Sequence, residues 1–166
     1  MNNIFKKTIT FLLAVVLLFS TMLQIPMLTN AAGTSCKSLS KAALDATGGS
    51  SKLKFQTTEA DEFGGFTISE AAKVSSMAYL CDEKEVYSIC VAKTSSKSDA
   101  AALLKSLKAY KERNCGSDYL SDYSSTEQKV FKNAVCGKSG KYIWYIAMSS
   151  KKSVNKKGQT ALKKLL

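Results

Sequence analysis

A chain of 166 residues with 45% hydrophobic and 22% charged residues has the balance of a globular protein, not of a disordered segment. It carries 24 basic and 13 acidic residues, a formal charge of +11, and no histidine, which excludes every mechanism that needs an imidazole base, relay or metal ligand. Arg113 is the only arginine, so the bidentate forks that read nucleic-acid base edges are almost missing, and sequence-specific nucleic-acid recognition is not expected.

Residues 1–31 read as a secretory signal. Lys6 and Lys7 precede a nearly unbroken apolar run from Ile9 to Phe19, and Thr29-Asn30-Ala31 puts small side chains at −3 and −1. Cleavage after Ala32 is the close alternative. The stretch from Ile9 to Leu28 is long enough to span a membrane, but Ser20, Thr21, Gln24 and Pro26 dilute its second half and no basic stop-transfer cluster follows. No transmembrane span is expected after cleavage. A rival fate is a lipid anchor on Cys36: Gly33-Thr34-Ser35 supplies small residues before the cysteine, with Gly33 where lipoprotein processing wants an aliphatic side chain. Loss of Lys6 and Lys7, with no acidic residue in 1–31, leaves 22 basic against 13 acidic residues and a net charge of +9.

Residues 32–52 predict a polar tether or a short helix, with Leu39, Ala42, Ala43 and Ala46 at helical spacing and Gly48-Gly49 as the stop. Residues 53–166 predict a single α+β domain. Its opening, 53–66, has no clean period, and Thr67 to Lys73 suits one or two helical turns. Ser76 to Cys81 and Val86 to Lys93 predict a hairpin across Asp82-Glu83-Lys84-Glu85. In its second strand Val86, Ser88, Cys90 and Ala92 alternate with Tyr87, Ile89 and Val91. Ala100, Leu103, Leu104, Leu107 and Tyr110 form an apolar stripe at helical spacing, with Lys105, Lys108, Lys111 and Glu112 on the other face. Ser96 or Ser98 can cap this helix and Gly116 can stop it.

Tyr119 to Ser125 reads as a polar aromatic loop, and Ser125 to Asn133 as a shorter helix with Val130 and Phe131 inward. Val135-Cys136 and Tyr142 to Met148 predict a second strand pair joined through Gly137-Lys138-Ser139-Gly140. Both faces of Tyr142–Met148 are apolar, which suggests a strand covered on both sides. Lysines and an Ala161-Leu162-Leu165-Leu166 stripe end the chain as a short basic amphipathic helix. The element order implies a two-layer α+β fold: a mainly antiparallel sheet of about four strands with helices packed on one face.

The second half resembles the bacterial domain-of-unknown-function family 4358. The resemblance runs through Glu85-Val86-Tyr87-Ser88-Ile89-Cys90-Val91-Ala92-Lys93, the Asp99-Ala100 helix start with Arg113 near the helix end, and Asp122-Tyr123. It continues through Phe131-Lys132-Asn133-Ala134-Val135 and Gly140-Lys141-Tyr142-Ile143-Trp144-Tyr145-Ile146, covering roughly residues 75–166. The chain departs at Asp122-Tyr123-Ser124, where many members follow the tyrosine with proline. Members are typically small exported or lipid-anchored proteins of Gram-positive bacteria. The resemblance implies an envelope location, assigns no activity and transfers no functional residue.

Candidate chemistry is sparse. Cys36, Cys81, Cys90, Cys115 and Cys136 contain no C-x-x-C pair, so a structural metal site is not expected. The last four could form two disulfides in an exported chain or serve as small buried hydrophobes. Four S-x-x-K matches (Ser38/Lys41, Ser51/Lys54, Ser149/Lys152, Ser153/Lys156) barely exceed the roughly three that such a Ser- and Lys-rich composition supplies by chance. The clusters Glu59, Asp61, Glu62 and Asp82, Glu83, Glu85 fall in turns, where carboxylates are usually solvated. No phosphate-binding glycine loop and no cofactor motif is present.

What remains is binding. Lys151, Lys152, Lys156, Lys157, Lys163 and Lys164 crowd a C-terminal stretch without an acid and are the candidate contacts to an anionic surface. Tyr119 and Tyr123 are the candidate ligand aromatics, while Trp144, alternating with Ile146 and Met148, reads as core. The expectation is a secreted or envelope-associated, non-enzymatic domain. Its partner would be an anionic wall polymer, a membrane surface or an envelope protein. The alternatives are a lipid-anchored accessory subunit and, behind it, a thiol or Ser–Lys enzyme.

Overall fold

The computed structural model describes residues 33–49, 53–56 and 58–166; the signal reading of 1–31 and the Ser51/Lys54 pair fall wholly or partly outside them. The elements are α1 (Cys36–Ala46), β1 (Lys54–Gln56), α2 (Ile68–Ala71), β2 (Val74–Cys81), β3 (Ser88–Thr94) and α3 (Lys97–Arg113). They continue as α4 (Ser117–Leu120), α5 (Ser125–Lys132), β4 (Val135–Ser139), β5 (Tyr142–Ala147) and α6 (Lys152–Lys163). All five strands pair antiparallel in one sheet, in the order β1-β2-β3-β5-β4. This is the expected α+β domain, with a fifth, three-residue strand at one edge where no period was legible.

The layering differs from expectation. All six residues of β5 are buried, and in β3 only Lys93 is not. Such strands need cover on both faces, and the helices divide accordingly. Tyr79, Cys90, Ala92, Ile143 and Tyr145 pack with Ala100, Leu103 and Leu107 of α3 and with Val130 and Phe131 of α5. Ala78, Leu80, Ile89, Val91, Trp144 and Ile146 pack with Cys36, Leu39 and Ala43 of α1 and with Leu162 of α6. Three layers therefore replace the expected two. The tether alternative also falls for α1, whose Leu39 and Ala43 have no exposed surface. α1 was expected to end at Gly48-Gly49, and it does so through a Schellman motif: Gly48 has φ +72, Gly49 N–H donates to Leu44 O at 2.8 Å, and Gly48 N–H to Asp45 O at 3.1 Å.

Register carries the alternation across the sheet. Tyr79, Cys90, Tyr145 and Cys136 form one row facing α3; Ala78, Val91, Trp144 and Gly137 form the adjacent row facing the other way. β4 runs through Gly137-Lys138-Ser139, which were expected to be loop, and the turn tightens to Gly140 at φ +55. Gly137 stays in the strand because the Trp144 indole lies over it, so close that a Cβ there would sit 2.5 Å from the ring. The residue that looked like a turn signal is the space a tryptophan occupies.

α6 is longer than expected, and its inward face is Asn155, Gly158 and Leu162, while Leu165 and Leu166 are exposed. The fully buried Asn155 amide makes three bonds: its Oδ1 accepts from Met148 N–H at 2.9 Å, and its Nδ2 donates to Asn133 O at 2.9 Å and Ser149 O at 3.0 Å. Gly158 lets α6 approach α1, since a Cβ there would fall 2.8 Å from the Thr47 methyl and 3.1 Å from Ala43 O. Gly158→Val is expected to cost roughly 1–3 kcal/mol by overpacking this contact. Asn155→Ala, which leaves three partly buried backbone groups without their partner, is expected to cost about 2 kcal/mol. Urea denaturation of each variant measures both.

Candidate functional site

Two concavities flank the C-terminal half of α3. Lys108, Lys111 and Glu112 line one of them, and Tyr110, Arg113 and Asn114 line the other. At 100° per residue these sets lie on opposite flanks of the helix.

The first is a groove of about 410 Å³ at the β4 edge of the sheet. Every second residue of an edge strand presents its backbone N–H and C=O outward. α3 lies on one face of the sheet and α6 on the other, so the edge sits between Lys108 and Lys111 from one helix and Lys152 and Lys156 from the other. Ala134, Val135 and Cys136 form the floor. Among the described residues none of the four groove lysines is paired with a carboxylate. Four ammonium groups against Glu112 make the groove strongly cationic.

The six C-terminal lysines do not act as one patch. Lys152, Lys156, Gln159 and Lys163 fall on one stripe of α6, at i, i+4, i+7 and i+11. Gln159 accepts the Trp144 indole N–H at 3.3 Å, and the Lys163 ammonium lies 5.8 Å from the centre of that ring. Lys157 and Lys164 project from another side of the helix, and Lys151 is its exposed N-cap. Of the six, only Lys152 and Lys156 reach the groove. The sequence places Lys108 and Lys111 on the helix face opposite the apolar stripe; no sequence signal pairs them with residues more than forty positions away.

The second site is a pocket of about 570 Å³ between the loop before α2, the start of α4 and the β2–β3 hairpin. Phe63 packs edge-on against Tyr79 and tilted against Tyr110, its ring centred 5.2 Å from each, and Phe63 and Tyr79 are themselves buried beneath the pocket. Tyr119 joins the lining at 40% exposed. The other candidate aromatic, Tyr123, stands behind it: the two rings stack at 5.3 Å, the Tyr123 hydroxyl donates to the Tyr119 hydroxyl at 3.3 Å, and both rest edge-on against Phe131. The structure thus brings Tyr119 to a pocket and gives Tyr123 the task of supporting it.

Burial raises every thiol. All five cysteines are free, and no two are cross-strand partners. Burial pushes the Cys81 thiol up to about 11, with Glu85 adding to it. Burial likewise pushes Cys136 up to about 11 against the pull of Lys111 and Lys108. Cys90, wholly enclosed, is raised further for the same reason. Activation of a cysteine nucleophile needs the opposite shift. Cys36 is 4% exposed at the first turn of α1, its Sγ 3.4 Å from Ser76 Oγ and 3.5 Å from Ser76 O. In the S-x-x-K pairs, Lys41 engages Asp45 and Ser38 pairs with Ser35, while Ser149 accepts the Lys151 N–H, so neither Ser38 nor Ser149 meets its lysine. Among the described residues no three of His, Cys, Asp and Glu converge as a metal-binding group, and no helix is long and apolar enough to cross a membrane.

Comparison with protein-family models, with curated proteins and with solved structures finds no match for this chain. The likeness to family 4358 rests on the residues named for it alone.

Alkylation of the folded protein under reducing conditions is expected to modify at most Cys115 and Cys136, the two that are not fully buried. Because its thiol is raised, the Cys136 rate should climb about tenfold per pH unit from pH 7 to 9 without levelling off. Peptide mass mapping reads both outcomes.

Proposed function

We propose that this protein is an exported, non-enzymatic binding domain of the cell envelope that holds an anionic surface polymer in the lysine groove at the β4 edge. The observation that carries the reading is the convergence of Lys108 and Lys111 with Lys152 and Lys156 on one groove, with no carboxylate paired to any of them among the described residues. Four like charges placed together cost folding energy by mutual repulsion, and a polyanion relieves that cost on binding. The raised thiols and the separation of Ser38 and Ser149 from their lysines support a binding role over the thiol and Ser–Lys alternatives.

Export rests on the pattern of residues 1–31, and the likeness to family 4358 agrees with it. Free export is favoured over lipidation, since a thioether-linked lipid on Cys36 would have to draw that side chain out of the core it shares with Leu39 and Trp144. The cationic groove faces a wall or lipid surface through charge, so its affinity should fall steeply with salt.

Long-chain polyphosphate and vesicles of phosphatidylglycerol and phosphatidylcholine serve as polymer and membrane probes. Replacing Lys108, Lys111, Lys152 and Lys156 together by glutamine is expected to weaken polyphosphate binding at least about tenfold. Replacing Lys151, Lys157 and Lys164 should leave it within about threefold. Polyphosphate should also slow alkylation of Cys136, which lines the groove. Equal losses in the two variant sets would reduce the contact to diffuse charge and sink the groove reading. Binding to vesicles but not to polyphosphate would move the partner to the membrane.

A further inference from the structure

Lysines flank the groove, but its floor is the backbone of an edge strand. β4 ends the sheet order, so no strand lies along its outer side, and among the described residues no backbone bond reaches 135–139 from outside the sheet. The phase of the ladder decides which groups face out. Gly140-Lys141 is a two-residue loop closed by the Ser139–Tyr142 pair, and such a closing pair exchanges both of its backbone bonds. Lys141 O accepts from Thr94 N–H on the β3 side, which turns Tyr142 toward β4 by the same alternation. Ser139, Gly137 and Val135 therefore bond to β5, while Cys136 and Lys138 hold their N–H and C=O groups toward the open side. Of these two, Cys136 lies in the groove floor.

We infer that the groove takes an extended acidic polypeptide, which joins the sheet as an added strand beside β4. The inference rests on the lysine groove proposed above as the binding site and names the class of its polymer. A phosphate polymer answers the ammonium groups but has no amide N–H to give the outward β4 carbonyls. A peptide backbone carries a donor and an acceptor at the strand repeat, which is what an open edge needs. The lysines match the two sides of such a strand. Successive side chains of a strand point to opposite faces of the sheet, and α3 covers one face of this sheet and α6 the other. Carboxylates at i and i+2 then meet Lys108 and Lys111, and those at i+1 and i+3 meet Lys152 and Lys156. The spacings agree: same-side residues of a strand lie about 6.6 Å apart, against roughly 5–6 Å for helix neighbours at i, i+3 or i, i+4. A run of consecutive acidic residues therefore fits better than an alternating one. The same lysines oppose a second copy of this chain, because pairing β4 with β4 would bring two lysine sets together.

The test is an NMR titration with amide hydrogen exchange on the full chain, using L-hexaglutamate, the same peptide N-methylated at every residue, and long-chain polyphosphate. Hexaglutamate is expected to bind with a Kd below about 1 mM, and the N-methylated peptide, equal in charge, at least about tenfold more weakly. Hexaglutamate should slow exchange of the Cys136 and Lys138 amides at least about tenfold, and polyphosphate by less than about threefold. Lys138→Pro removes one outward N–H and leaves the β5 ladder its bonds. It should weaken hexaglutamate at least about tenfold relative to Lys138→Gln, while the two variants bind polyphosphate alike. Equal affinity for the two peptides, equal slowing of Cys136 and Lys138 by polyphosphate, or polyphosphate binding without peptide binding would each overturn the added strand and leave the groove reading in place. Binding of neither polymer would overturn both.

Discussion

Two strands that must be covered on both faces govern this molecule. β3 and β5 alternate without a polar face, so the sheet can be exposed to water on neither side. Cover on the second face comes from the two ends of the domain, α1 and α6, which meet where Gly158 removes the side chain between them. The N-terminal segment is fastened there as well: the Tyr142 hydroxyl donates to Thr34 O at 2.9 Å, and the Thr34 hydroxyl to Leu165 O at 2.9 Å. α1 and α6, far apart in sequence, are thus part of the core and not appendages to it.

The same constraint creates the groove. Once α3 and α6 lie on opposite faces, the edge strand β4 is bracketed by two helices, and the lysines along their near flanks face each other across it. Asn155 fixes where α6 begins by binding the backbone at Met148, Asn133 and Ser149, and the Gln159–Trp144 bond sets how the helix is turned. Two side chains that bear no charge therefore aim Lys152 and Lys156. On the other flank, Arg113 ties α3 to the loop at Gly64, and the Phe63 and Tyr110 rings fill the space beneath them.

Much of the fold was legible because local physics writes it plainly. The α3 stripe, the Ser96 cap, the two faces of β3 and β5, and the short helix with Val130 and Phe131 inward are periodicities of 3.6 and 2, and each is where the pattern puts it. The faults lie where a distant residue overrides a local signal. Gly137 reads as a turn until Trp144 covers it, β1 is too short to show a period, and the α6 inward face uses Asn155 and Gly158, residues no hydrophobicity pattern selects. Helices cover both faces and not one, as the two apolar faces of β5 require. Element order alone cannot say that α1 and α6 return to the same face.

The sequence by itself determined the absence of histidine chemistry, the lysine excess, and the antiparallel pairs β2–β3 and β4–β5. These follow from composition and from contacts between near neighbours. Only the tertiary structure decided which lysines line one groove, that Tyr119 lines a pocket while Tyr123 props it, and that burial raises the thiols. Each of those properties depends on residues brought together from elements far apart in the chain: charge proximity and burial are set by the packing of helices across a sheet, and local sequence does not encode that distance.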